Sequence, residues 1–214
     1  HAPDAPLSRY RILRPSEWLT TGARRPHPSS CQFRISRISA EAYISVQATS
    51  MRLPQGNIMA QQLTLLGTGL MGSALASCYL NRGVAVTVWN RSPGRCAALV
   101  KNGAQAAPSL VSALEANSLV LVVLLDYSVF RSVMEGHEHL IAGRDFINFM
   151  TGSAKDATEL QAYINSQGGH YLEAAIEAYP DDIGRDSTLI HYSGPKDIWS
   201  RHKPLLQLPG AASR

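Results

Sequence analysis

From residue 62 onward, apolar positions fall into a repeating alternation of two periods. Leu63–Leu66 reads as a buried strand that runs directly into glycine. Ser73–Arg82 follows with apolar residues at helical spacing, and Gly83 is a good helix stop. Val84–Trp89 is β-branched and predicts a second strand. The pattern then repeats, with a helix over Pro93–Asn102, a short strand over Gly103–Ala106 and a helix over Ser109–Ala116. Leu119–Leu125 is the longest apolar run; seven residues are too few to span a bilayer but suit a central parallel strand. Asp126–Glu135 predicts a helix, Phe146–Phe149 a strand and Ala154–Gln167 a helix stopped by Gly168-Gly169. Tyr171–Ile176 and Thr188–Tyr192 read as two further strands. Strand and helix in this order predict an α/β fold with a doubly wound parallel sheet.

The glycines after the first strand narrow the chemistry. Gly67-Thr68-Gly69-Leu70-Met71-Gly72 is G-x-G-x-x-G between a strand and a helix, with a second strand inside about 30 residues, as a dinucleotide site requires. Gly67 serves the tight turn, Gly69 lets backbone approach the pyrophosphate, and Gly72 lets helix and strand pack closely. The N–H groups and positive dipole at the helix start face the anion. Where an NAD site often places an acid on the ribose, this chain has Asn90-Arg91-Ser92, with Arg95 one helical turn on. A guanidinium pairs with a 2′-phosphate that a carboxylate would repel, so these residues predict NADP(H). The bland alternative is a solvated loop arginine.

Charge divides the chain. Residues 1–58 hold eight arginines, no lysine and three acids, whereas the remainder is nearly neutral. The net charge of +4 therefore belongs to the leader and does not point to nucleic acid. The leader, rich in proline and serine, is expected to be disordered. It reads as a mitochondrial-type presequence, a basic arm, or upstream sequence with the true start at Met51 or Met59; the last is favoured, since LTLLG follows Met59 closely. A cytoplasmic location is expected, with a mitochondrial one if the leader is a presequence. No membrane segment or secretory core is visible. Cys31, Cys78 and Cys96 are odd in number and far apart, which suits neither a disulfide framework nor a metal site. The expected organisation is a leader over 1–58, a dinucleotide-binding domain over 59–208 and a truncated tail over 209–214.

The same stretch resembles the NADP-binding domain of the β-hydroxyacid dehydrogenase and 6-phosphogluconate dehydrogenase superfamily, and within it the imine reductases. The family pattern GLGxMGxxLAxxL…VWNRT is similar to Gly67–Leu80 and Val88–Ser92. LLDY is matched by Leu124–Tyr127, the NLTSGT-like loop by Asn148–Ser153, and YLDGAIMAxPxxIG by Tyr171–Gly184. Tyr192-Ser193-Gly194 matches a further family triplet. Asn148, where hydroxyacid dehydrogenases carry Asp, and EAAIEAYPDDIG, where they carry a DAPVSGG-like run, favour the imine-reductase branch. Met150 and Glu177 depart from the family pattern.

The resemblance implies a Rossmann-like domain in which hydride passes between a nicotinamide and a C=N or C=O carbon. It implies that Leu124, Leu125 and Asp126 line the cofactor, and that Thr151, Gly152 and Ser153 lie beside nicotinamide and substrate. Ser153 is equally well placed to cap the helix that follows. The family carries its proton donor on a long helix after this domain, and dimerises through a C-terminal helical domain. The sequence ends about where that helix would begin, so the donor is expected beyond Arg214 and no catalytic residue is expected within the chain. Lys196 and Lys203 read as surface residues. His137, His139, His170 and His191 lack triad or metal spacing, and Asp181-Asp182 reads as a solvated turn. Two readings remain open: part of an NADPH-dependent oxidoreductase acting on a small molecule (an imine or carbonyl reductase, or a 3-hydroxyacid dehydrogenase), or a dinucleotide-binding module without turnover.

Overall fold

A computed structural model describes residues 61–213. The leader readings, Met51, Met59 and Cys31 lie outside them.

Eight strands form one sheet: β1 (Gln62–Leu66), β2 (Ala85–Trp89), β3 (Gln105–Ala106), β4 (Leu119–Val122), β5 (Asp145–Asn148), β6 (His170–Glu177), β7 (Leu189–Ser193) and β8 (Ala211–Ser213). Their spatial order is β3-β2-β1-β4-β5-β6-β7-β8. Six helices connect them: α1 (Leu70–Leu80), α2 (Ala97–Lys101), α3 (Leu110–Ala116), α4 (Tyr127–Met134), α5 (Ala154–Ser166) and α6 (Lys196–Leu206). Strand side chains alternate between two apolar layers. Leu63, Leu65, Leu119, Leu121 and Ile147 pack with α1, α2 and α6 on one face. Leu66, Val120, Val122 and Phe146 pack with α3, α4 and α5 on the other. Both faces are covered, which is why the central strands read as continuous apolar runs.

The strand order reverses direction between β1 and β4, and the crevice there opens at the carboxyl ends of the strands. A buried polar set ties the first two strands to α3 and to each other. Thr64 Oγ1 donates to the Ala113 carbonyl at 2.8 Å, and Asn117 Nδ2 donates to Thr64 Oγ1 at 3.1 Å and Thr87 Oγ1 at 3.4 Å. One side chain after α3 thus ties β1 to β2.

Three expectations need correction. The strands from β3 to β6 in spatial order are mutually parallel, but β7 runs antiparallel to β6. Residues 178–188 between them form only a short 3-10 turn, Pro180–Asp182, and a parallel return needs a helical crossover. The segment expected as a tail contributes β8, which pairs parallel to β7 after α6 brings the chain back. The strand expected over Leu119–Leu125 ends at Val122, so Leu124 and Leu125 leave the sheet.

Helix α6 itself is not evident from periodicity. Pro204 sits inside it and its mean hydropathy is low, yet it buries Ile198, Trp199, Leu205 and Leu206. Lys196 and Lys203 are exposed, as expected for surface residues. At the end of the sheet away from the crevice, Asp145 is 4% exposed. Its carboxylate pairs with His170 of β6 at 2.9 Å, and with Arg201 and His202 of α6 at 2.7 and 2.6 Å. Burial alone would raise its pKa, but the hydrogen bonds and charges of His202 and Arg201 outweigh it and hold the carboxyl at about 2.

Candidate functional site

The crevice at the switch point is a cavity of about 760 Å³. Its wall is built where β1, β2, β4, β5 and β6 end and the chain turns outward.

The glycine turn after β1 forms one end. Gly67 has φ +99, and a Cβ on it would lie 2.3 Å from the Val123 carbonyl oxygen. A Cβ on Gly72 would lie 1.9 Å from the Gly67 carbonyl oxygen, so helix and turn touch only because both residues lack side chains. Gly69, by contrast, has open space where a Cβ would project, on the cavity wall. No side chain caps α1 at Gly69, which leaves the helix start facing the cavity with its N–H groups unclaimed by a cap. The residues present therefore fit a dinucleotide pyrophosphate.

Around this turn the expected residues separate into two groups. Gly67, Gly69, Leu70, Met71, Gly72, Asn90, Arg91, Ser92, Arg95, Leu124, Leu125, Thr151 and Gly152 line the cavity. Leu70 and Leu125 are more than 80% exposed at its rim. Arg91 and Arg95 are exposed, and neither has a carboxylate partner among the described residues. Thr68, Asp126 and Ser153 lie off the wall. Thr68 is buried, and its N–H donates to Asn90 Oδ1 at 3.2 Å. Asn90 Nδ2 in turn donates to the Ser92 carbonyl at 3.1 Å, so this amide braces the turn against the end of β2.

Asp126 caps α4, accepting from Val129 N–H at 2.8 Å and Ser128 Oγ at 2.6 Å. Those hydrogen bonds, Ser128 first, hold its pKa below the usual carboxylate value. Ser153 caps α5 in a reciprocal box with Asp156.

The far end of the cavity holds a group that the sequence did not single out. Glu173 of β6 lies on the wall, with Asn148 beside it in register on β5. Asn148 Nδ2 donates to both of its oxygens at 3.0 Å and to the Tyr127 hydroxyl at 3.0 Å. The Tyr127 hydroxyl donates to Glu173 at 3.2 Å, and the buried Tyr171 hydroxyl donates to it as well. Burial, then the Glu173 charge, pushes the Tyr127 phenol up to about 12, and burial, then the hydrogen bond to Glu173, pushes Tyr171 higher still. Both phenols therefore stay protonated and act as donors. Asn148 Oδ1 accepts from the Met150 N–H at 3.1 Å. A Cβ on Gly152 would lie 2.4 Å from the Tyr127 ring, so the Met150–Gly152 loop is seated on this cluster. No single signal marks the cluster, because Asn148 and Glu173 meet through the β5–β6 register and Tyr127 joins them from the start of α4.

The remaining candidates lie elsewhere. His191 pairs with Glu177 at 3.2 Å, and Asp182 with Arg185 at 2.9 Å. Among the described residues no set of His, Cys, Asp and Glu is arranged to hold a metal, and no helix is long and apolar enough to cross a membrane.

This architecture has known counterparts. The chain is 30% identical over 136 residues to an NADPH-dependent reductive aminase of Aspergillus oryzae, covering 64% of this chain and 46% of that protein. The structure superposes on a Streptomyces aurantiacus imine reductase with a TM-score of 0.69 at 35% identity, over 72% of this chain and 55% of that one. It superposes equally, at 32% identity, on a Myxococcus stipitatus imine reductase in complex with NADP+, over 71% and 54%. The chain thus spans about half the length of these relatives. Residues 62–213 match the NAD binding domain of 6-phosphogluconate dehydrogenase, and the chain belongs to that family.

Proposed function

We propose that this chain is the NADP(H)-binding half of an oxidoreductase that reduces a small C=N substrate, with C=O as the second choice. The observation that carries the reading is one cavity holding both an uncapped glycine-turn helix start and two arginines that have no carboxylate partner among the described residues. The α1 N-terminus and Gly69 would hold the pyrophosphate, and Arg91 and Arg95 the 2′-phosphate. Leu70, Met71, Leu124 and Leu125 would cover the apolar parts, and Thr151 and Gly152 would border nicotinamide and substrate. The bound dinucleotide supplies hydride to an electrophilic carbon, and the chain orients it and excludes water. Reductive aminase and imine reductases among the relatives, together with Asn148 and the β6 sequence, support imine over carbonyl chemistry. The same reading extends to a dimer assembled through a C-terminal helical domain that supplies the proton donor. It also extends to a cytoplasmic location, where buried Cys78 and Cys96 remain thiols.

The test is a titration of the full chain with NADPH and NADH. Trp89 on the cavity wall serves as energy donor to the nicotinamide. NADPH is expected to saturate and to bind at least about tenfold more tightly than NADH, a difference of the size of one charge-assisted phosphate contact. Arg91→Ala should abolish most of that difference and leave NADH unchanged. Saturable binding of neither cofactor would sink the reading.

A further inference from the structure

Glu173 is the only acidic side chain on the cavity wall among the described residues. Its donors, Asn148, Tyr127 and Tyr171, are all neutral, so they fix the carboxylate in place without cancelling its charge. The cavity's cations lie far from it. Arg91 and Arg95 follow β2, four strand positions from β6 in the sheet order, which at a typical strand spacing is about 19 Å. Between them the cavity runs from a cationic end to an anionic end. The anionic end also carries the Met150–Gly152 loop, which the Glu173 cluster seats.

We propose that Glu173 is a fixed negative charge at the nicotinamide end of the cavity that favours the oxidised over the reduced cofactor. This rests on the NADP(H) reading given above. The oxidised nicotinamide ring carries a positive charge and the reduced ring carries none. A carboxylate that, among the described residues, has no cationic partner therefore stabilises the oxidised form selectively. The same attraction grows as hydride departs with its electron pair, so it aids donation in the direction of substrate reduction. With an iminium as acceptor, hydride forms the new C–H bond and the C=N π pair becomes the nitrogen lone pair. The acceptor is reduced to a neutral amine, and the cofactor is oxidised. Glu173 neither gives nor takes a proton in this role; it acts by charge alone.

The experiment measures dissociation constants for NADP+, NADPH and 2′,5′-ADP on the full chain, with and without Glu173→Gln. The substitution keeps the side-chain shape and removes the charge. The ratio Kd(NADP+)/Kd(NADPH) is expected to rise about tenfold, as for one charge interaction across a partly buried site. Affinity for 2′,5′-ADP, which reports the phosphate end alone, should not change. Glu173→Asp keeps the charge and should leave the ratio close to that of the unaltered chain. Glu177→Gln removes an acid from the same strand outside this wall and should do the same. Equal weakening of NADP+ and NADPH by Glu173→Gln would assign the cluster a merely structural role and overturn the proposal. An unchanged ratio, or an equal shift in Glu173→Asp, would also overturn it. Failure of the unaltered chain to bind 2′,5′-ADP would instead overturn the NADP(H) reading, and this inference with it.

Discussion

At the scale of single residues, the sharpest constraints are steric. Gly72 has no room for a Cβ, because the nearest atom is a backbone carbonyl that cannot swing aside. Gly72→Ala is expected to cost at least about 2 kcal/mol, the upper part of the usual mutational range, since the turn or α1 must move. Urea denaturation would measure it, and a loss below about 0.5 kcal/mol would mean that the turn yields easily. A second constraint is electrostatic. Asp145 has a folded pKa of about 2, below its unfolded value near 3.8, so its pairing stabilises the fold above that range. The contribution, about 2 kcal/mol from the size of the shift, is lost as pH falls from about 4 towards 2. Asp145→Asn should lower stability at pH 7 and flatten the acid limb of the stability curve. An unchanged slope between pH 4 and 2 would show that another group governs acid unfolding.

At the scale of elements, the helix starts are set locally. Ser153 exchanges hydrogen bonds with Asp156, and Ser153→Ala is expected to cost about 1 kcal/mol through α5, read as a lower melting temperature. That residue was open to two readings in the sequence, and the structure places it as a cap off the cavity wall. The unit β1–turn–α1–β2 was legible because all its signals are contiguous: a β-branched or leucine run, three spaced glycines, helical spacing and a stop. The direction of β7 was not legible. Parallel and antiparallel strands share the same composition at that edge, and only the lack of a helix between residues 178 and 188 decides between them. Helix α6 was hidden by Pro204 and by charged residues on its outer face, although its four buried apolar residues hold it to the sheet. The Glu173 cluster was hidden for a related reason. Asn148 marked a family branch and Glu173 was one letter of a longer pattern, but their contact depends on register between β5 and β6.

Across residues 61–213 as a whole, two buried layers on either side of one sheet make a platform with a strongly differentiated pair of ends. The carboxyl ends of the strands hold open backbone, exposed leucines and separated charges. The amino ends hold a closed ionic clasp around Asp145 that binds α6 to β5 and β6. On the function proposed above, stability and ligand recognition therefore draw on different residues. Asp145→Asn should shift the melting temperature without altering NADPH affinity at a temperature where the variant is folded. A parallel loss of both would show that the two ends are coupled through the sheet.

Asn90 carries this separation into the site itself. Both ends of its amide are committed to the chain, one to Thr68 and one to Ser92, whereas the Arg91 and Arg95 side chains beside it have no carboxylate partner among the described residues. The brace and the two cations can therefore follow different histories. On the NADP(H) reading proposed above, substitutions at 91 and 95 would change which dinucleotide is preferred without loosening the turn that Asn90 braces. A change at 90 offers no such freedom, since it disturbs the turn before any ligand arrives. For redesign on that reading, the same asymmetry marks positions 91 and 95 as the tunable pair and position 90 as the one to leave alone.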